Sequence, residues 1–125
     1  MKNKTFFVLG SNSFSGSHFV AHLIEKGFQV IGISRSNEPN EVFLPYKWEK
    51  DFESSSKYES YLNQFNFQKL DINNNLDDIL KIIDKCQPNY IVNFVAQGMV
   101  AESWLNPKEW YQTNVLAQVA LHDEL

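Results

Sequence analysis

Four short runs rich in β-forming residues, Thr5 to Leu9, Gln29 to Ser34, Asn66 to Leu70 and Tyr90 to Val95, alternate with longer stretches of helical spacing. This alternation constrains the fold most, because strands separated by helical crossovers form consecutive βαβ units and a parallel sheet. The first, second and fourth runs lack strict polar alternation, as strands covered on both faces should. The expected class is therefore α/β, with helices on both faces of the sheet.

The crossovers differ in clarity. Phe19, Val20, Leu23 and Ile24 share one helical face, and Gly27 provides a left-handed stop. A polar segment from Ser36 to Ser56 holds Pro39 and Pro45, after which Tyr58, Tyr61, Leu62 and Phe65 predict a short helix. A third helix is predicted from Asn75 as N-cap through Ile83, ending before Pro88. The last starts at Asn106-Pro107-Lys108-Glu109, with Asn as cap, Pro at the first position and Glu placed to reach back to the cap. Trp110, Tyr111, Asn114, Val115, Gln118, Leu121 and Leu125 keep helical spacing to the last residue, so the sequence reads as a sheet cut after about four strands.

With 125 residues and 43% hydrophobic content, residues 1–125 suit one domain with one core. The formal charge of -4 argues against nucleic-acid or anionic-membrane partners, which need concentrated Lys and Arg. Cys86 has no second cysteine to pair with and reads as inert packing; one Cys and three scattered His give no metal-ligand spacing. His18 and His22 share a helical face but have no third ligand, so they read as solvated. The four apolar residues Phe6 to Leu9 are too few for a signal segment or a membrane span, and a reducing cytoplasm is the expected location.

The chemistry lies between the first strand and first helix, in Gly10-Ser11-Asn12-Ser13-Phe14-Ser15-Gly16. A diphosphate at a helix N-terminus is held by free backbone N–H groups and the positive end of the helix dipole, and small residues let the chain turn beneath it. Gly10, Ser13 and Gly16 are small residues three apart, and the second strand ends about twenty residues on, as a dinucleotide-binding unit requires. The alternative is a structural tight turn.

The loop resembles the T-G-x-x-G-F-I-G stretch of the extended short-chain dehydrogenase/reductase family, which includes sugar-nucleotide epimerases and 4,6-dehydratases. Gly10, Phe14 and Gly16 match and Ser13 departs, a change expected to leave the backbone donors in place. Asp71-Ile72 resembles the family pair that meets the adenine, although Asp71 alone also suits a turn. Asn93-Phe94-Val95-Ala96-Gln97 and the following residues to Trp104 resemble H-L-A-A-Q-S-x-V-x-x-S-W. That resemblance implies that Phe94, Val95, Ala96 and Gln97 line the cofactor, and that Gly98, Met99 and Ser103 border the substrate. Thr113-Asn114-Val115 resembles T-N-V, whose Asn helps position a catalytic Lys. Asn114 equally suits a buried helix position bonded to backbone.

The resemblance implies a Rossmann-like fold, a nicotinamide dinucleotide, a nucleotide-sugar substrate and a homodimer formed through the last helix. Arg35, flanked by Ser34 and Ser36, stands where an acidic residue would accept the ribose hydroxyls of NAD, and so favours NADP(H) over NAD(H), the alternative being a solvated strand-end Arg. The family's acid/base Tyr-x-x-x-Lys pair belongs to a later helix, so no catalytic residue is expected within the chain. Tyr46-Lys-Trp-Glu-Lys50 matches those letters between strands two and three, the wrong place for that chemistry. The expected function is the cofactor-binding part of an NADP(H)-dependent sugar-nucleotide 4,6-dehydratase or epimerase. The alternative is a non-catalytic dinucleotide-binding or sensing module complete at this length. A receiver-like domain is set aside, since Gly-Ser-Asn-Ser replaces the carboxylates it needs after the first strand.

Overall fold

A computed structural model of the chain describes residues 4–48, 64–96 and 104–125. The elements are β1 (Thr5–Leu9), α1 (Phe14–Glu25), β2 (Gln29–Ser34), β3 (Phe65–Lys69), α2 (Leu76–Cys86) and β4 (Tyr90–Asn93). Two 3-10 turns, Glu41–Phe43 and Pro45–Lys47, follow β2. The last helix comprises α3 (Pro107–Tyr111), a π-helical turn (Gln112–Leu116) and α4 (Ala117–Glu124).

All four strands are parallel, in the order β3-β2-β1-β4, which is the expected Rossmann-like arrangement. Side chains leave β1 and β2 alternately toward two apolar layers. Val8 and Val30 pack with Val20 and Leu23 of α1 and with Leu44 and Tyr46. Phe7, Leu9 and Ile33 pack on the opposite face with Ile79 of α2 and with Ala117 and Leu121 of the last helix. Burying each such large side chain contributes roughly 1.5–3 kcal/mol, so both layers hold the strand ends in place.

Helix α1 begins at Ser13, whose extended backbone (φ -69°, ψ 163°) lets its Oγ accept from the Gly16 N–H. It ends in a Schellman motif, in which the Gly27 N–H (φ 85°) donates to the Ile24 carbonyl and the Phe28 N–H to that of Leu23. Asn75 and Asn106 occupy the expected cap positions, but neither side chain makes a capping hydrogen bond. Their ψ values of 28° and 65° lie outside the extended region a capping side chain needs, and Asn75 Oδ1 accepts instead from the Asp71 N–H.

Several expected boundaries move. The helix predicted over Tyr58 to Phe65 falls largely outside the described residues, and Phe65 instead opens β3, opposite Val30. Its ring needs the space that Gly32 leaves: a Cβ on Gly32 would lie 2.8 Å from it. Strand β4 stops at Asn93 rather than Val95, because the Val95 N–H turns to the Asn93 side chain at 2.8 Å. Cys86 is exposed rather than packed, being the last residue of α2, beyond its apolar face. His18 and His22 are exposed, and the His18 ring lies between those of Phe14 and Trp48.

Candidate functional site

The polypeptide reverses direction after β1 by putting Gly10 at φ 83°, a left-handed conformation that favours glycine. A Cβ there would also lie 2.9 Å from the Phe94 carbonyl carbon, so the turn passes hard against the end of β4. A Cβ on Gly16 would lie 2.1 Å from the Gly10 carbonyl oxygen. The two glycines thus allow the first turn of α1 to sit directly on the loop.

Ser13 shapes the same turn. Its Oγ donates to the Gly10 carbonyl at 2.8 Å and accepts from the Gly16 N–H at 3.0 Å. This corrects one expectation, since Ser13 does take up a backbone donor. Two remain: the Phe14 and Ser15 N–H groups, at the first and second positions of α1, have no acceptor among the described residues. Both residues are exposed at the positive end of the helix dipole.

A cavity of about 230 Å³ opens beside this terminus at the C-terminal ends of the strands. Of the residues singled out in the sequence, Gly10, Asn12, Ser13, Ser34, Arg35, Ser36, Asp71, Ile72, Phe94, Val95 and Ala96 line it. Phe14, Ser15 and Gly16 form the adjoining helix start. Gln97, Gly98, Met99 and Ser103 lie outside the described residues. Asn114 is half-buried on the last helix and does not line the cavity.

Hydrogen bonds tie the loops after β1 and β2 together. The Asn12 N–H donates to Ser34 Oγ at 3.1 Å, and its side-chain amide donates to the Ser36 and Asn37 carbonyls. Arg35 is exposed on the cavity rim, with no acceptor for its guanidinium among the described residues. The next carboxylate, Glu38, is committed elsewhere: it accepts from the Tyr46 hydroxyl and pairs with Lys47 at 3.2 Å. Tyr46 is only 5% exposed and packs on Phe65, so it is a structural tyrosine.

Asp71 performs the turn role that its position also allowed. Its Oδ1 accepts from the Asn73 N–H at 2.9 Å and its Oδ2 from the Asn74 side chain at 3.3 Å. It still borders the cavity, and each carboxylate oxygen keeps a lone pair for a further donor. Asn73, which the sequence reading missed, and Thr113, noted there only as part of the T-N-V resemblance, also line the cavity and are joined by a 3.1 Å hydrogen bond. They stand 40 positions apart, and no local pattern links them. Among the described residues, no group of three His, Cys, Asp or Glu could hold a metal ion, and no helix is long and apolar enough to cross a membrane.

The arrangement fits a dinucleotide: two amides at a helix start and a guanidinium at the end of β2, all without partners among the described residues, and two glycines that keep the approach open. Similarity to known proteins agrees. The chain is 32% identical over 109 residues to Protein CapI of Staphylococcus aureus, covering 87% of this chain and 30% of that protein. It is 27% identical over 116 residues to a UDP-glucose 4-epimerase of Pisum sativum, covering 93% of this chain and 31% of that one. The structure of a Thermotoga maritima UDP-glucose 4-epimerase with UDP-glucose superposes with a TM-score of 0.68 at 26% identity, over 96% of this chain and 33% of that chain. That of a Brucella ovis UDP-glucose 4-epimerase in complex with NAD has a TM-score of 0.71 at 21% identity, over 97% and 31%. The chain thus spans about a third of the length of these relatives and corresponds to their N-terminal part. The family described as GDP-mannose 4,6 dehydratase matches residues 7–124, nearly the whole chain, and with the fold and loop above this shows that the chain belongs to that family.

Proposed function

We propose that this chain is the cofactor-binding portion of an NADP(H)-dependent sugar-nucleotide 4,6-dehydratase or epimerase. The observation that carries the reading is a cavity that Arg35 lines and the start of α1 adjoins, with the Phe14 and Ser15 amides and the Arg35 guanidinium all lacking acceptors among the described residues. The amides would hold the diphosphate, and Arg35, Ser34 and Ser36 would meet a 2′-phosphate on the adenosine ribose. Asp71 and Ile72 would face the adenine, and Phe94 to Gln97 the nicotinamide side. When bound, the nicotinamide supplies a transient hydride acceptor for oxidation of a sugar hydroxyl. The acid/base pair belongs to the parent enzyme rather than to residues 1–125. Gly98, Met99 and Ser103 would border the nucleotide-sugar substrate, and Asn114 would support the acid/base pair from the last helix.

The preference for NADP(H) rests on Arg35 and on Glu38 being occupied by Tyr46 and Lys47, which leaves no free carboxylate just after β2 among the described residues for the NAD ribose hydroxyls. A homodimer through the last helix belongs to the same reading, supported by the exposure of Tyr111, Leu116 and Val119. So does a cytoplasmic location, given one unpaired cysteine. The test compares NADPH and NADH binding to the wild-type chain and to Arg35→Ala at matched ionic strength. The substitution is expected to weaken NADPH binding about ten- to hundredfold and leave NADH unchanged. Equal loss for both cofactors, or wild-type NADH binding at least as tight as NADPH, would overturn the preference.

A further inference from the structure

We propose that Gln118 is a positioning residue that fixes the wall of the cavity against which the non-adenosine half of the dinucleotide lies. This rests on the dinucleotide reading above. Gln118 is half-buried on α4, 25 positions from Asn93. Its side chain joins the last helix to the end of β4 in a closed set of hydrogen bonds. Nε2 donates to the Val95 carbonyl at 2.8 Å, and Oε1 accepts from the Asn93 side-chain amide. Asn93 Oδ1 in turn accepts from the Val95 N–H at 2.8 Å. Both backbone polar groups of Val95, a cavity-lining residue, are therefore held by side chains after the strand has left the sheet.

The π-helical turn explains how one helix reaches two loops. The Ala117 N–H bonds to the Gln112 carbonyl five residues back, which opens the turn that carries Thr113. Residues five apart are not neighbours on an α-helix, but this wider turn lets both Thr113 and Gln118 reach strand-end loops. Thr113 meets Asn73 in the loop after β3, and Gln118 meets the end of β4. A dinucleotide with its diphosphate at the start of α1 crosses the strand ends with its adenosine half toward β2 and β3 and its other half toward β4. Gln118 thus acts on the second half and Thr113 on the first.

Two probes separate those halves: NADPH, and adenosine 2′,5′-bisphosphate, which carries the adenine, the ribose, the 2′-phosphate and one 5′-phosphate but nothing of the nicotinamide half. In the full chain, Gln118→Leu is expected to weaken NADPH binding about tenfold and leave the bisphosphate within about twofold. Gln118→Glu keeps an acceptor for Asn93 but loses the donor to Val95, and is expected to show the same split. Unchanged bisphosphate binding also reports that each variant is folded. Equal loss for both probes would assign Gln118 a general structural role, and no loss for either would remove it from the site; each result overturns the proposal. A wild-type chain that binds neither probe, and does not bind NADH either, would instead overturn the dinucleotide reading itself.

Discussion

At Gly16, the Cβ of any other residue would meet the Gly10 carbonyl oxygen at 2.1 Å, whereas at Gly27 the nearest atom would be 3.9 Å away, on the Gln64 side chain. The two glycines are therefore required for different reasons. Gly27 is needed for its φ of 85°, and Gly16 because backbone packs on backbone beneath the proposed diphosphate site. Gly27→Ala is expected to cost about 1 kcal/mol in urea unfolding and leave NADPH affinity unchanged. Gly16→Ala is expected to cost about 1–3 kcal/mol and to reduce NADPH binding sharply, because the first turn of α1 must move off the loop. Calorimetric titration beside the unfolding curves checks this contrast; equal binding by the two variants would contradict it. Ser13 refines the picture. By capping α1 at Gly16 it stabilises the helix start, and it narrows the free donors to Phe14 and Ser15.

Among the elements, α2 and the last helix bring the Asp71 to Asn73 loop and the end of β4 to a common cavity by packing on the Phe7, Leu9 and Ile33 face of the sheet. Ile79 is fully buried in that layer, so Ile79→Ala is expected to destabilise by about 2–5 kcal/mol in denaturant unfolding. Cys86→Ala, at the exposed end of the same helix, is expected to stay within about 0.5 kcal/mol. Strands, the first helix and the glycine loop were legible in the sequence because each is encoded within a few residues: apolar runs, a face at helical spacing, and glycines at a turn. The ends of elements were less so. Asn75 and Asn106 have the right chemistry for caps, but the backbone on which they sit decides whether they act. Strand β4 ends early because of Gln118 and the Asn93 side chain, an arrangement no window around Val95 contains.

For the whole molecule, the βαβ pattern implies a parallel sheet and the family resemblance its order β3-β2-β1-β4, and the cavity sits beside β1, where the chain moves from one side of the sheet to the other. The partners across that cavity are set only by tertiary structure. Asn73 and Thr113 meet from 40 positions apart, and the π-helical turn that helps them leaves no signature in apolar spacing. Among the described residues, β4 is an edge strand, and Tyr111, Leu116 and Val119 expose an apolar surface on the last helix, with Val119 62% exposed. Free strand edges and apolar surfaces both promote association. The chain is therefore expected to form dimers or larger species as its concentration rises in sedimentation velocity, and Val119→Lys to weaken that association. A wild-type chain that stays monomeric at high concentration would contradict this.

The central claim is that the start of α1 holds the diphosphate of a nicotinamide dinucleotide. The measurement that tests it most directly is a titration of the isotopically labelled chain with NADPH, followed through its backbone amide resonances. The expected result is saturable shifts that are largest at the Phe14 and Ser15 amides, with the Arg35 side chain also responding and α2 residues such as Asp84 little changed. Phe14 and Ser15 resonances that stay still while NADPH is added to saturation, or shifts centred on another surface, would contradict the account.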